Sequence, residues 1–332
     1  MNEEYETQIE FAKANDPQAS DVYVNQLAPN FVISYFQTQG GLYDLFAELP
    51  VDLQGGQYTK WSRADTMRAQ TELVAPGAAF PTFGMTPDTS PTYFCPVYGG
   101  RHEHTPEMLA NYRLPGSAVM AASKFLARAA YLKRERLWTS ANFTTSIWGT
   151  DATPTVTWDD PSSDPIGDIE TGRRAILLAT GYEANVLGLG YDVWIALKKH
   201  PDILARVGTG GSNNVDPRLV TPRLVAALFE LDEIRVGSVV YNTAAPGLTA
   251  SMAFTAGKNA LLVHRTKSPS IEEPSAGYRF SWRGLVGGGN GGISFRNGVN
   301  PETEVAWYRI KHADDFRVTA SELGYFFNGA VA

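Results

Sequence analysis

TVTWDDPSSDPIGDIETGRRAILLATGYEANVLGLGYDVWIALKKHPDIL, residues 155–204, carries helix and strand signals in a fixed order. Asp164 stands where a helix N-cap belongs, Pro165 takes the first helical position and Gly181 terminates the run. Ile169, Ile176 and Leu177 form its apolar stripe. A short strand is expected near Asn185 to Leu189, after which Asp192 caps VWIALKKH and Pro201 opens DILARV. Thr221 and Pro222 repeat the cap-plus-proline device before RLVAALFEL, which leads into the strand-like EIRVGSVVYN. The stretches KNALLVHR, YRFSWRG, the glycine-rich GLVGGGNGGISFRNG, EVAWYRI and DDFRVTASELGYFF then read as strand and turn. The chain is therefore of mixed α+β class.

Upstream, GSAVMAASKFLARAAYLKRERLWTS after Pro115 is the clearest helix, with Val119, Ala122, Leu126, Ala129 or Ala130, and Leu137 at helical spacing. Lys124, Arg128, Lys133, Arg134 and Arg136 give its other face five cations against Glu135 alone. Before it, the proline- and glycine-rich segment from Gln54 to His104 has two β-rich stretches, near Gln57 to Val74 and Thr92 to Tyr98. A long hairpin is expected there. Such a ribbon is marginal alone in water, so Trp61, Phe80, Phe83, Tyr93 and Phe94 require another surface. Residues 1–51 scatter apolar side chains without a sustained period, apart from a possible helix over 29–36, and read as an arm whose packing partners lie elsewhere.

The 332 residues carry a net charge of -7, which argues against a protein whose main task is gripping phosphate backbones. Cys95 is the sole cysteine, so an internal disulfide and a thiol pair are excluded and a reducing compartment fits. The start of the chain, with Glu3, Glu4, Glu6 and Glu10, is the opposite of a basic, apolar signal peptide, and no run is long and apolar enough for a membrane helix. Secretion and membrane association are not expected.

No H-E-x-x-H, G-x-S-x-G or G-x-x-x-x-G-K-[ST] pattern is present. Gly287, Gly289 and Gly292 satisfy G-x-G-x-x-G only because five of six positions there are glycine, and the following ISFRNGVNPE does not open a helix. His102 and His104 would share one face of a strand but lack a local third ligand. His200, beside Pro201, reads as a cap or packing residue. Asp159, Asp160 and Asp164 read as turn and cap residues. Neither catalytic chemistry nor a metal or cofactor is expected.

This succession of arm, extended loop, long helix, mixed middle and strand-rich end resembles that of the major capsid proteins of tailed bacteriophages. At residue level the likeness lies in 155–204, where a W-D…S-D-P stretch leads to a helix, a Gly-Tyr-x-x-Asn turn, a short strand and W-x-x-L-x-x-H-P. The matching residues are Trp158, Asp164, Pro165, Asn185, Trp194, Leu197, His200 and Pro201. The resemblance implies an N-terminal arm (1–51), an extended β-hairpin loop (52–104), a spine helix and peripheral domain (105–165), an axial domain (166–300) and C-terminal strands returning to both domains (301–332). It also implies hexamers and pentamers of the chain in an icosahedral virion shell around double-stranded DNA, made in the host cytoplasm. Scaffold, portal and decoration proteins are further implied partners, with weak, sequence-independent contact to packaged DNA. Some members cross-link a loop lysine to a neighbour's asparagine; Lys60 lies in the loop, but nothing around it supports carrying that over.

In such a shell, an arm without its own core and an aromatic ribbon become contacts between copies. The acidic arm residues Glu3, Glu4, Glu6 and Glu10 are expected to attract the basic helix residues Arg128, Arg134 and Arg136, and Trp61, Phe80, Phe83 and Tyr93 to meet a neighbour. Two rivals stand beside this reading. One is an encapsulin-like compartment shell; the other is a monomeric β-rich hydrolase or binding domain using the Gly287 loop with His102 and His104.

Overall fold

The structure, a computed structural model, describes residues 41–61, 67, 69, 71, 73–84, 87–111, 115–207, 220–270, 273–285 and 293–332, together with Val32. The acidic arm residues, the rest of the helix expected over 29–36 and the glycine run 287–292 lie outside these described residues.

A 3-10 turn, Leu42–Leu45, opens the described chain and β1 (Ala47–Val51) follows. The extended loop supplies β2 (Gly55–Gln57), β3 (Lys60–Trp61), β4 (Pro87–Asp88) and β5 (Thr92–Phe94), and β6 (Val97–His104) leads out of it. Next come α1 (Pro106–Asn111), the 28-residue α2 (Pro115–Asn142), β7 (Thr150–Ala152), α3 (Pro165–Thr180) and β8 (Val186–Gly190). The middle region continues through α4 (Tyr191–Lys199), α5 (Pro201–Val207), α6 (Pro222–Leu228), β9 (Glu233–Gly237), β10 (Val240–Asn242) and β11 (Met252–Phe254). Strands β12 (Ala260–Val263), β13 (Gly277–Trp282), β14 (Ile293–Val299), β15 (Ala306–Val318) and β16 (Gly324–Phe327) complete it.

Two five-stranded sheets organise these elements. The first runs β1-β13-β15-β14, and β6 also pairs with β15. EVAWYRI and DDFRV, separate in the pattern, are one 13-residue strand: Ala306–Ala313 pair with β6 and Asp314–Val318 with β13. The second sheet runs β7-β16-β12-β8-β9, with β8 buried at every position. No side chain alternates to solvent there, so β8 reads as a continuous apolar run rather than an alternating strand.

The punctuation around α3 acts as its chemistry requires. Asp164 Oδ1 accepts the Gly167 N–H at 2.9 Å, and Gly181, at φ 74°, donates its N–H to the Leu177 carbonyl at 2.8 Å. Asp192 behaves otherwise than expected: Gly190 is the N-cap of α4, and Asp192 lies in the first turn, where its charge still favours the helix dipole. Along α2, Ala122, Leu126, Ala127, Ala130 and Tyr131 are buried, and the helix packs on β6 and β15. Gly188 of β8 and Gly237 of β9 leave room for Leu45 and Leu42, so the 3-10 turn seats on the second sheet.

Candidate assembly surface

The extended loop is a ribbon only at its base. Gly55–Gln57 pair antiparallel with Thr92–Phe94, and Lys60–Trp61 pair with Pro87–Asp88. The strand expected to run to Val74 does not reach it: residues 73–84 form no strand and carry Pro76, Gly77 and Pro81. That base belongs to its own chain. Tyr93, expected to meet a neighbour, is buried and stacks on Phe280 with ring centres 4.5 Å apart. The Phe94 N–H donates to Asp315 Oδ2 at 2.9 Å. Cys95 is also buried here, and burial pushes its thiol up to about 12, so it is unreactive at neutral pH. Beyond the base the character changes: Phe80 is 83% exposed, Phe83 47% and Leu73 103%.

The cationic face of α2 divides in two. Arg128 is exposed, and exposed Arg136 sets its guanidinium 4.3 Å from the Tyr241 ring centre. Arg134 does not share that face. It is buried, with Nε and Nη2 both donating to Asp314 Oδ2, at 2.9 and 2.7 Å. A helix residue one position from Glu135 and two from Arg136 turns to a different side, which a count of basic residues does not register. His312 Nδ1 lies 3.1 Å from the same carboxylate oxygen. Burial pushes the Asp314 carboxyl up, but Arg134, His312 and Arg279 outweigh it and hold the group below the usual carboxylate range.

Glu135, the single acid among the cations of α2, joins the chain following the arm to the spine helix. Fully buried, it accepts the Leu42 N–H at 2.9 Å and the Tyr43 N–H at 3.2 Å. Burial pushes its carboxyl up to about 7; the two backbone donors and Arg235 pull it down, while Asp44 adds to the rise. A folded pKa above the unfolded 4.5 means that the native state holds the proton more tightly. The resulting stabilisation is complete below pH 4.5 and is lost as pH rises through about 7. Glu135→Gln removes this dependence. Subtracting the variant's unfolding free energy from that of the unsubstituted chain between pH 5 and 8 will show a decline on the order of 3 kcal/mol. A flat difference would refute the assignment.

Of the residues of the enzyme reading, His102 and His104 are among the described ones, whereas the Gly287 loop is not. His102 and His104 share the helix-facing side of β6, their rings edge-on at 4.7 Å. Burial and the neighbouring His102 push His104 below its usual value, so it is neutral at neutral pH. Among the described residues no group of three His, Cys, Asp or Glu side chains could hold a metal ion. Ser163 Oγ and His200 Nε2 lie 3.1 Å apart beside Asp202, near a cleft of about 320 Å³ lined in part by Trp158, Asp192 and His200. The Asp202 N–H donates to His200 Nδ1 at 3.3 Å. Ser163 in turn donates to the Asp160 carbonyl at 2.7 Å. The cluster ties the start of α3 to α5.

The fold is that of tailed-phage capsid proteins, which encapsulins share. The structure superposes on a phage-related protein from Bordetella bronchiseptica with a TM-score of 0.65 at 20% identity, covering 91% of this chain and 96% of that one. It also matches the capsid of Cyanophage P-SCSP1u, with a TM-score of 0.54 at 8% identity over 87% and 88% of the two chains. An encapsulin complex from Synechococcus elongatus gives 0.51 at 10% identity over 87% and 86%. In sequence, the chain is similar to the major capsid protein of Pseudomonas phage JBD67, 29% identical over 179 residues. It is also similar to that of Burkholderia phage BcepMu, 32% identical over 79 residues. These alignments span 53% and 24% of the respective relatives' lengths. No family model matches the chain.

Proposed function

We propose that this chain is a shell-building protein, the major capsid protein of a tailed phage, acting by self-association and not by catalysis. The observation that carries the reading is the exposed apolar tip of the loop, Leu73, Phe80 and Phe83, on a ribbon whose base is bound to its own chain. An apolar extension anchored at its base is a liability in a monomer and a contact in a lattice. Both sequence relatives carry the capsid name, which supports a phage shell over the encapsulin alternative.

On this reading residues 1–51 are the arm, 52–104 the extended loop, 105–165 the spine and peripheral region, 166–300 the axial domain, and 301–332 the returning strands. Copies of the chain form hexamers and pentamers of a virion shell. Scaffold, portal and decoration proteins and packaged DNA are its further partners, and synthesis is in the host cytoplasm. Trp61, Phe80, Phe83, Arg128 and Arg136 are proposed assembly contacts; Arg134 and Tyr93 act inside the subunit.

Electron microscopy and light scattering of the purified chain will show closed particles containing nucleic acid when recovered from infected cells; enclosed protein cargo would favour the encapsulin reading. The triple substitution Leu73→Ser, Phe80→Ser and Phe83→Ser will abolish particles while leaving the melting temperature of the unassembled chain unchanged. Exposed side chains away from special features contribute within about 0.5 kcal/mol to folding. Particles formed normally by that variant would remove the loop from assembly.

A further inference from the structure

One face of the first sheet packs against α2. Gly100 and His102 of β6 face the helix, Gly100 toward Leu126 and His102 toward Phe125. Residues of the opposite parity, Arg101 and Glu103, therefore point away. By register, Arg101 lies directly opposite Arg309 of β15, and Arg309 directly opposite Arg296 of β14. Three arginines thus form one row across three adjacent strands, and Lys311, two residues beyond Arg309, extends the same face.

Like charges directly opposite across a strand pair are destabilising, and here the arrangement occurs twice in succession. The row has little internal relief. Arg101 reaches Glu103 at 2.6 Å, both half-exposed. Among the described residues, Arg296, Arg309 and Lys311 have no carboxylate partner, and the buried Arg309 Nε has no hydrogen-bond acceptor. Trp307 packs between the guanidinium groups of Arg101 and Arg309, 5.7 and 5.5 Å from its ring, which holds them in place. An ordered cationic row on an acidic chain is arranged for an anion.

Resting on the shell reading, we propose that this row binds the acidic segment 3–10 of a neighbouring copy. Its four glutamates match the four cations in number and opposite sign. An extended chain places Glu4, Glu6 and Glu10 on one side, able to address a row of arginines. Planar guanidinium groups suit carboxylates, and Arg101 already takes one. A nucleic acid backbone is the rival occupant of the same cationic row, and nucleic acid retention in the assembly test separates it from the arm. On this proposal the arm's basic partner is this sheet face, and the exposed Arg128 and Arg136 of the spine helix serve other contacts between copies.

The test uses Arg101→Glu with Arg296→Glu, both at exposed positions flanking Arg309. The pair converts two like-charge oppositions into attractions and gives up the half-exposed Arg101–Glu103 pair, so the melting temperature of the unassembled full chain will hold. A labelled peptide of residues 1–12 will bind the unsubstituted chain in low salt and will bind this variant at least roughly tenfold more weakly. This measurement does not require particles, so its failure is separate from failure of the shell reading. In assembly, the sheet variant and a second variant, Glu4→Lys with Glu6→Lys and Glu10→Lys, will each form few particles alone and will form them when mixed. Such rescue between chains requires contact in trans. The proposal is overturned if peptide binding is unchanged, if mixing does not rescue, or if the sheet variant assembles normally but retains less nucleic acid.

Discussion

Replacing Asp314 with alanine will destabilise the fold by about 3–5 kcal/mol, the usual result of removing one member of a buried ion pair. Arg134 and Asp314 are each only 2% exposed in their side chains, and both Arg134 donors converge on Asp314 Oδ2. Without that acceptor the guanidinium remains between the spine helix and β15 with no means of neutralising itself, since arginine does not deprotonate. His312 loses its partner at the same time. Urea unfolding will show the midpoint falling with the slope unchanged. The double substitution Arg134→Met with Asp314→Leu will recover most of the loss, because deleting both charges removes the desolvation penalty as well as the attraction.

The same carboxylate sets a pH signature. Its folded pKa is depressed from 3.8, so its contribution is present above that value and lost as pH falls through the folded pKa. The gap between the unsubstituted chain and Asp314→Ala will therefore narrow in acid. A loss below about 1 kcal/mol at pH 7 would mean the pair is not desolvated as described.

Trp138→Ala will also cost about 3–5 kcal/mol when made alone, as expected for truncating a fully buried large aromatic. Trp138 is 0% exposed and meets Phe46 edge-on at 5.5 Å and Phe143 at 5.9 Å. Phe143 continues to Phe326 of β16 at 5.6 Å, and Phe46 to Trp148 at 6.1 Å. These rings join the segment before β1, the spine helix and the second sheet, so truncation leaves a cavity where three elements meet and none can collapse independently. Calorimetry will show a single, lower transition. Retained stability, or two separated transitions, would show that the two sheets do not share this core.

Much of the architecture was legible in local chemistry. Asp164, Pro165 and Gly181 bracket a helix because capping oxygen, fixed proline φ and permissive glycine act over a few residues wherever the chain lies. Ala122 and Leu126 mark the buried face of the spine helix because a period of 3.6 is a property of the sequence alone; between Ala129 and Ala130 the structure chose Ala130. The candidate surface was less legible. Phe80 and Phe83 stand out as unsupported aromatics, but Tyr93, in the same composition, is held by Phe280, nearly two hundred positions away. No local pattern separates them.

What the sequence determined by itself was the kind and order of the elements, the single cysteine's exclusion of disulfides, and the acidic and basic residues that would need one another. Which of those residues met was decided only by tertiary structure. Arg134 turned inward to Asp314, Glu135 closed on the Leu42 and Tyr43 amides, and Arg101, Arg309 and Arg296 came into one row. The physical reason is range. Caps and periodicity act within a few residues, whereas burial, ion pairing and cross-strand register depend on which distant segments share a low-dielectric interior or the same face of a sheet.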